Sequence, residues 1–220
     1  MSYQNFYERR RAVGYNISVL ECPNCAATDI RPGQSFCHWC RSALIISDFS
    51  SIYSMSNDAY SEYADKLTNN KDSYIKNGMQ GDYENSLGMA YLRLGNTSLA
   101  VSSFKKAAQL GIQNPETYFY MGIAMLNKQR PFLSSKNNVS EVIECIETAI
   151  NIEKKGIYYF TAAFVEYDFY ELKHLRPPEP IDNYLSCAKR FGVTQKDIKM
   201  VFDMINYTVP NELLTRMNKI

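Results

Sequence analysis

Histidine is nearly absent from this 220-residue chain, which has two, His38 and His174. A multi-histidine metal centre is thereby excluded, and histidine-based acid–base catalysis has little to draw on. Tryptophan occurs once, as Trp39. Excess charge is missing too: 24 Lys+Arg against 23 Asp+Glu leave a formal net charge of +1. Long-range attraction to nucleic acid or an anionic membrane is not expected, and any such contact needs a local patch. No apolar run approaches the roughly 18 residues of a membrane span. Arg9, Arg10 and Arg11 are not followed by an apolar core and a small-residue cleavage site, so no secretory signal is read and a soluble, cytoplasmic protein is expected. Eight prolines and ten glycines are too few for a low-complexity chain. A hydrophobic share of 45% with 21% charged residues excludes wholesale disorder. At about 150 residues per domain, the length predicts one domain, or one domain with a small appendage.

Cysteine is what stands out. Four of the six fall at Cys22, Cys25, Cys37 and Cys40, as two Cys-x-x-Cys hooks separated by eleven residues. Each hook turns two thiolates toward one point, and two facing hooks give a tetrahedral set of four sulfurs. Zn2+ suits that set, being borderline-soft and without a geometric preference of its own. A bound ion supplies the folding energy that so short a segment cannot draw from a core. Disulfides would need an oxidising compartment, and a redox Cys-x-x-Cys pair would normally occur once, at a helix start. An iron site of rubredoxin type uses the same four sulfurs and stays open beside structural zinc. Pro32-Gly33 turns the chain between the hooks, and Phe36 and Trp39 are positioned to cover the sulfurs. Cys145 and Cys187 sit alone in helical patterns and are expected to be buried structural thiols.

Cys22 to Leu44 resembles the bacterial-type zinc ribbons, which read Cys-Pro-x-Cys, a Pro-Gly turn, an aromatic, then Cys-x-x-Cys. Such ribbons commonly place Gly after each hook, where a left-handed backbone aims amides at sulfur; this chain has Ala26 and Arg41 there.

From Asp58 onward the pattern is helical nearly throughout, with helices expected near 58–69, 71–79, 82–94, 97–110, 115–128, 139–153, 156–173, 181–191, 195–206 and 211–218. The best pair has Leu87, Ala90, Tyr91 and Leu94 on one helix, Leu99, Ala100, Phe104, Ala107 and Ala108 on the next, and Gly95-Asn96 between them. Thr194 with Asp197 three residues later reads as a helix start.

Leu87-Gly88-x-x-Tyr91 followed by Ala100-x-x-x-Phe104-x-x-Ala107 resembles the tetratricopeptide repeat, and Gly122 lies one 34-residue period after Gly88. A small residue at the crossing lets two helix axes approach closely. After the second first-helix comes an insertion of about eight residues from Gln129, and Val142, Ile146 and Ala149 then take the slots of Ala100, Phe104 and Ala107. A degenerate third unit spans 154–191, with Phe160, Ala163 and Tyr167 on its first helix and Leu185 and Ala188 on its second. Ala59, Tyr63 and Leu67 begin an upstream cap, and Ile198, Val201, Phe202 and Ile205 a downstream one.

The expected architecture is all-α: an antiparallel helix-hairpin, tetratricopeptide-like solenoid with a small N-terminal zinc ribbon. Its parts are an N-terminal extension (1–20), the ribbon (21–46), a serine-rich linker (47–57), the repeats (58–206) and a C-terminal helix (207–220). The resemblance implies a concave surface for peptides or proteins, lined by Asn85, Met89, Arg93, Tyr120, Ile123 and Asn127. In the aromatic stretch from Tyr158 to Tyr170 about half the rings are expected to face outward, and Pro131-Phe132-Leu133 reads as an apolar loop tip for a partner.

A non-enzymatic adaptor accounts for these features together, with a structural Zn2+ and a protein or peptide partner. Nucleic-acid binding through the ribbon is the alternative, resting on Arg9, Arg10, Arg11, Arg31 and Arg41 near Phe36 and Trp39. It is not favoured, because residues 1–50 hold five Arg against four acidic residues, a net of +1. An enzyme is not expected: no phosphate loop, nucleophile elbow or His-Glu-x-x-His motif is found, and the closed four-cysteine shell leaves no position for water.

Overall fold

The computed structural model describes residues 21–30 and 34–220. The extension 1–20, its three arginines, Arg31 and the Pro32-Gly33 turn lie outside the described residues. Among those described, eleven α-helices and no strand are formed. They are α1 (Phe49–Tyr53), α2 (Asn57–Asn69), α3 (Lys71–Lys76), α4 (Gln80–Leu94), α5 (Thr97–Gln109), α6 (Pro115–Met125), α7 (Lys136–Ile152), α8 (Gly156–Phe169), α9 (Ile181–Arg190), α10 (Gln195–Ile205) and α11 (Asn211–Lys219). Short 3-10 turns occupy Pro131–Leu133 and Glu171–Lys173. None of these helices is long and apolar enough to cross a membrane.

Local sequence starts and stops the helices. Asp48, Ser56, Asn114, Ser135 and Thr194 cap α1, α2, α6, α7 and α10 through their side-chain oxygens, which satisfy amides the first turn leaves free. Thr194 and Asp197 form a reciprocal capping box. Gly95, at a φ of 75°, ends α4 in the left-handed region and turns the chain into α5. Asn127 and Lys128 also adopt positive φ, so α6 stops at Met125 rather than at the expected 128.

Consecutive helices pack on one another from α4 through α9. The glycines 34 residues apart occupy the two closest approaches expected of them. A β-carbon on Gly88 would lie 2.7 Å from the Phe104 ring, and one on Gly122 would lie 3.2 Å from the Val142 carbonyl and 3.5 Å from Ile146. Phe104 and Ile146 each lie against the glycine of the helix before their own, Ile146 together with Val142 and Cys145. The insertion itself is folded, as the Pro131–Leu133 turn.

Three expectations are corrected. Leu94 and Leu99, at 54% and 50% exposure, flank the tip of their hairpin instead of facing its core. The aromatic rings of α8 do not divide between core and solvent: Tyr158, Tyr159, Phe160, Phe164, Tyr167, Phe169 and Tyr170 are all buried. This helix has α7, α9, α10 and the two 3-10 turns around it, and a helix apolar on every side is one enclosed on every side. The linker 47–57 contains α1, whose Phe49 and Ile52 are fully buried. Finally, the first helices of the hairpins are covered. The chain from Ala43 through α1 crosses α4 and reaches α6, and α10 packs on α6 and α8. The Tyr53 hydroxyl donates to Asp203 at 2.8 Å, joining α1 to α10.

Candidate metal centre

Both hooks fold into the same small turn. The Ala26 amide donates to the Cys22 carbonyl at 2.8 Å and the Arg41 amide to the Cys37 carbonyl at 3.0 Å. One bond further out, Cys22 donates to the Ala27 carbonyl and Cys37 to the Ser42 carbonyl, each at 2.8 Å. Ala26 and Arg41 take φ values of 58° and 60°. The left-handed backbone is thus present where glycine is not, at a cost of about 1–2 kcal/mol for each residue.

These turns bring the four sulfurs within 4.8 Å of one another. Cys22 Sγ lies 3.5 Å from Cys40 Sγ, and Cys25 Sγ lies 3.6 Å from Cys37 Sγ. No disulfide joins them. A regular tetrahedron of sulfurs about 2.3 Å from a central ion has edges of roughly 3.8 Å, so the four donors are grouped at the spacing a single metal ion needs. Burial lifts the Cys22 thiol to about 12. Burial pushes Cys40 upward as well, but hydrogen bonding from the Ser42 hydroxyl and amide outweighs it and draws that thiol down to about 6. Ser42 Oγ stands 3.2 Å from Cys40 Sγ.

The expected aromatic cover does not form. Trp39 is 71% exposed, its indole N–H donating to Asp29 at 3.0 Å, and Phe36 turns toward Tyr63 with ring centroids 6.2 Å apart. Leu44 covers the sulfurs instead, packing with Cys22 and Cys37. The cluster docks on α2 and α3: Asn77 Nδ2 donates to the Pro23 carbonyl at 3.0 Å, and Ser73 Oγ to Asn24 at 3.3 Å.

The six residues expected on an open concave face are placed otherwise. Asn85, Met89, Tyr120 and Ile123 are at most 4% exposed, so as a free binding surface they are corrected to core. Asn85 accepts from the Thr117 hydroxyl at 2.7 Å, and Tyr120 packs on Phe49 with ring centroids 4.4 Å apart. Arg93 donates to the Met55 carbonyl at 2.7 Å and lies over the Tyr60 ring. Asn127 is exposed, beyond the end of α6, where it accepts from Thr97 Oγ1 at 2.6 Å. Arg93 and Tyr120 do contact a peptide segment, but one belonging to this chain. The lone thiols Cys145 and Cys187 are half-buried, and burial lifts Cys145 to about 11.

One arrangement was not foreseen in the sequence. Asp168, fully buried on α8, accepts from Arg130 Nε at 3.1 Å and from the Phe132 amide at 2.7 Å, and its other oxygen pairs with Arg130 Nη2. The Arg130 guanidinium also lies over the rings of Phe132 and Tyr207. The apolar tip is thereby fixed with Leu133 65% exposed, and Lys173 Nζ sits 4.9 Å over the Phe132 ring. The available signal was Asp168, one of two acids with Glu166 inside an otherwise largely apolar helical stretch, since a buried acid demands a partner. No family model, curated protein or solved structure matches the chain.

Proposed function

We propose that the chain is a non-enzymatic adaptor: tetratricopeptide-like helical hairpins carrying a structural zinc ribbon, working in the reducing cytoplasm and offering an apolar contact to a protein partner. The observation that carries this reading is the Pro131–Leu133 turn. A fully buried carboxylate, Asp168, engages Arg130 and the Phe132 amide, and the result is an exposed apolar tip in a fixed conformation. A preordered tip reduces the entropy lost when a partner docks. The closed sulfur set favours a metal that holds shape over one that activates water, and among such metals zinc suits four thiolates best. The glycine period and the packing of consecutive hairpins favour a repeat in which each unit buries a face its neighbour completes.

The experiment is affinity capture with the full chain, repeated with Phe132→Asp/Leu133→Asp and with Cys22→Ser/Cys25→Ser. A protein that copurifies in fixed ratio and is lost with the tip variant, at unchanged melting temperature, supports the adaptor. A partner indifferent to the tip sinks the assignment of that surface. Metal analysis of the same preparation should give one zinc per chain; a coloured, iron-containing protein refutes zinc.

A second reading, nucleic-acid binding, is favoured by the exposure of Trp39 beside His38 and Arg41. Against it, Phe36 is turned inward and Arg41 lies 3.8 Å from Glu62. Oligonucleotide affinity falling steeply with salt would support this reading.

A further inference from the structure

The stretch between the sulfur cluster and α2 is held by the rest of the chain as a peptide is held in a groove. Its main chain is read by side chains of other elements. The hydroxyls of Tyr74 and Tyr63 donate to the carbonyls of Ala43 and Leu44. Ser86 Oγ donates to the Ile46 carbonyl at 2.8 Å and accepts from the Ile46 amide at 3.1 Å. Asn114 Nδ2 donates to the Ser47 carbonyl, and the Phe49 amide donates to Glu116, each at 2.7 Å. Arg93 closes the series on the Met55 carbonyl. None of these bonds uses the stretch's own side chains, which place Ile45, Ile46, Phe49 and Ile52 in the core. Backbone bonds for hold and pockets for alternate side chains are the division of labour of peptide recognition.

The same stretch begins at the sulfur cluster. Leu44 belongs to the cluster's small core with Cys22 and Cys37, and two residues separate Cys40 from Ala43. A core of that size does not hold a segment in place by itself, whereas a bound ion does. The left-handed residues Ala26 and Arg41 add strain that the ion must overcome.

We infer that Ser42–Met55 is an internal ligand of the hairpins' inner face and that the metal-bound cluster is its latch. Loss of the ion frees the start of the stretch and opens the face from Tyr74 to Glu116. The incoming ligand is a peptide of the same pattern, two adjacent aliphatic residues with an aromatic three positions after the second, the aromatic opening a helical turn as Phe49 does. The latch rests on the metal-centre reading given above; the internal ligand does not.

The test uses the full chain, hydrogen–deuterium exchange, and a fluorescent peptide spanning residues 42–56. On chelation of the metal, amides of 43–55 should exchange about tenfold faster or more while 115–190 stay protected. The labelled peptide should bind the metal-free protein, ignore the loaded one, and be expelled when zinc is restored. Ile46→Asp, which loosens the stretch with the cluster intact, should bind the peptide with metal still present. Persistent protection of 43–55 without metal overturns the latch, and so does simultaneous loss of protection across 115–190. A free stretch whose vacated face binds no peptide, in the metal-free protein or in Ile46→Asp, overturns the internal ligand. A chain that takes up no metal refutes the metal centre and the latch together, and the Ile46→Asp measurement then decides the internal ligand alone.

Discussion

Replacing Gly88 with alanine tests the close crossing of α4 and α5. The added carbon would stand 2.7, 2.8 and 3.0 Å from three ring carbons of Phe104. Carbon atoms pack at about 3.5–4.0 Å, so the ring must retreat by roughly 0.5–1 Å. Phe104 is fully buried and has no open side to move into. Overpacking of this kind costs about 1–3 kcal/mol, against which alanine recovers about 1 kcal/mol of helix propensity. The net expectation is a loss of about 1 kcal/mol, which lowers the melting temperature of a protein this size by roughly 2–4 °C. Phe104→Leu alone should cost about 1–2 kcal/mol through lost burial and a residual cavity. Together the two changes should not add: with the ring gone, alanine at 88 has room, and the double variant should be no less stable than Phe104→Leu. Urea unfolding of the four proteins gives the coupling directly, expected at about 1–2 kcal/mol. If Gly88→Ala raises stability as it does in an exposed helix, or if the two losses add, the close crossing does not exist.

Three further changes probe other parts of the molecule. Asp168→Ala leaves the Arg130 guanidinium and the Phe132 amide without their acceptor; a loss of about 3 kcal/mol is expected, with faster proteolytic cleavage between Gln129 and Ser135. Ala26→Gly and Arg41→Gly should each stabilise the metal-loaded protein by about 1 kcal/mol without changing metal stoichiometry, since both relieve a positive φ. The Glu166 carboxyl is raised from an ordinary 4.5 to about 7 by burial, with Glu147 and Glu179 adding to it. The folded chain therefore keeps that proton longer than the unfolded chain does. Its contribution is most favourable below about pH 4.5 and declines as pH rises toward 7. Glu166→Gln should match the wild type at pH 4.5 and exceed it by up to about 3 kcal/mol at pH 8, by urea unfolding at the two pH values.

Features set by neighbours in the sequence could be read from it. The hooks needed only the spacing of Cys22, Cys25, Cys37 and Cys40, and the structure brings those four sulfurs together. The cap at Thr194 needed only Asp197, and the glycine period needed only Gly88 and Gly122. What escaped depends on distant partners. Helix α1 is five residues long in a serine-rich stretch, and Phe49 is fixed by Glu116 and Tyr120 far along the chain. Asn85, Met89, Tyr120 and Ile123, expected on a concave binding face, are buried, and no local pattern says that the chain returns to cover them. Helix α8 is apolar all round, so its periodicity carried no direction, and only the packing of α7, α9 and α10 reveals that every side is enclosed.

The stretch that fills the inner face is made before the face that receives it. Ser47 and Phe49 find Asn114 and Glu116 67 residues further on. At about 5–20 residues per second, a ribosome needs roughly 3–13 s to supply that distance. Throughout that interval the strip of Ile45, Ile46, Phe49 and Ile52 lacks the α6 surface that completes its enclosure. The four cysteines are already complete by then, so an ion captured early would tie down the head of the nascent strip while the helices that will enclose it are still being translated.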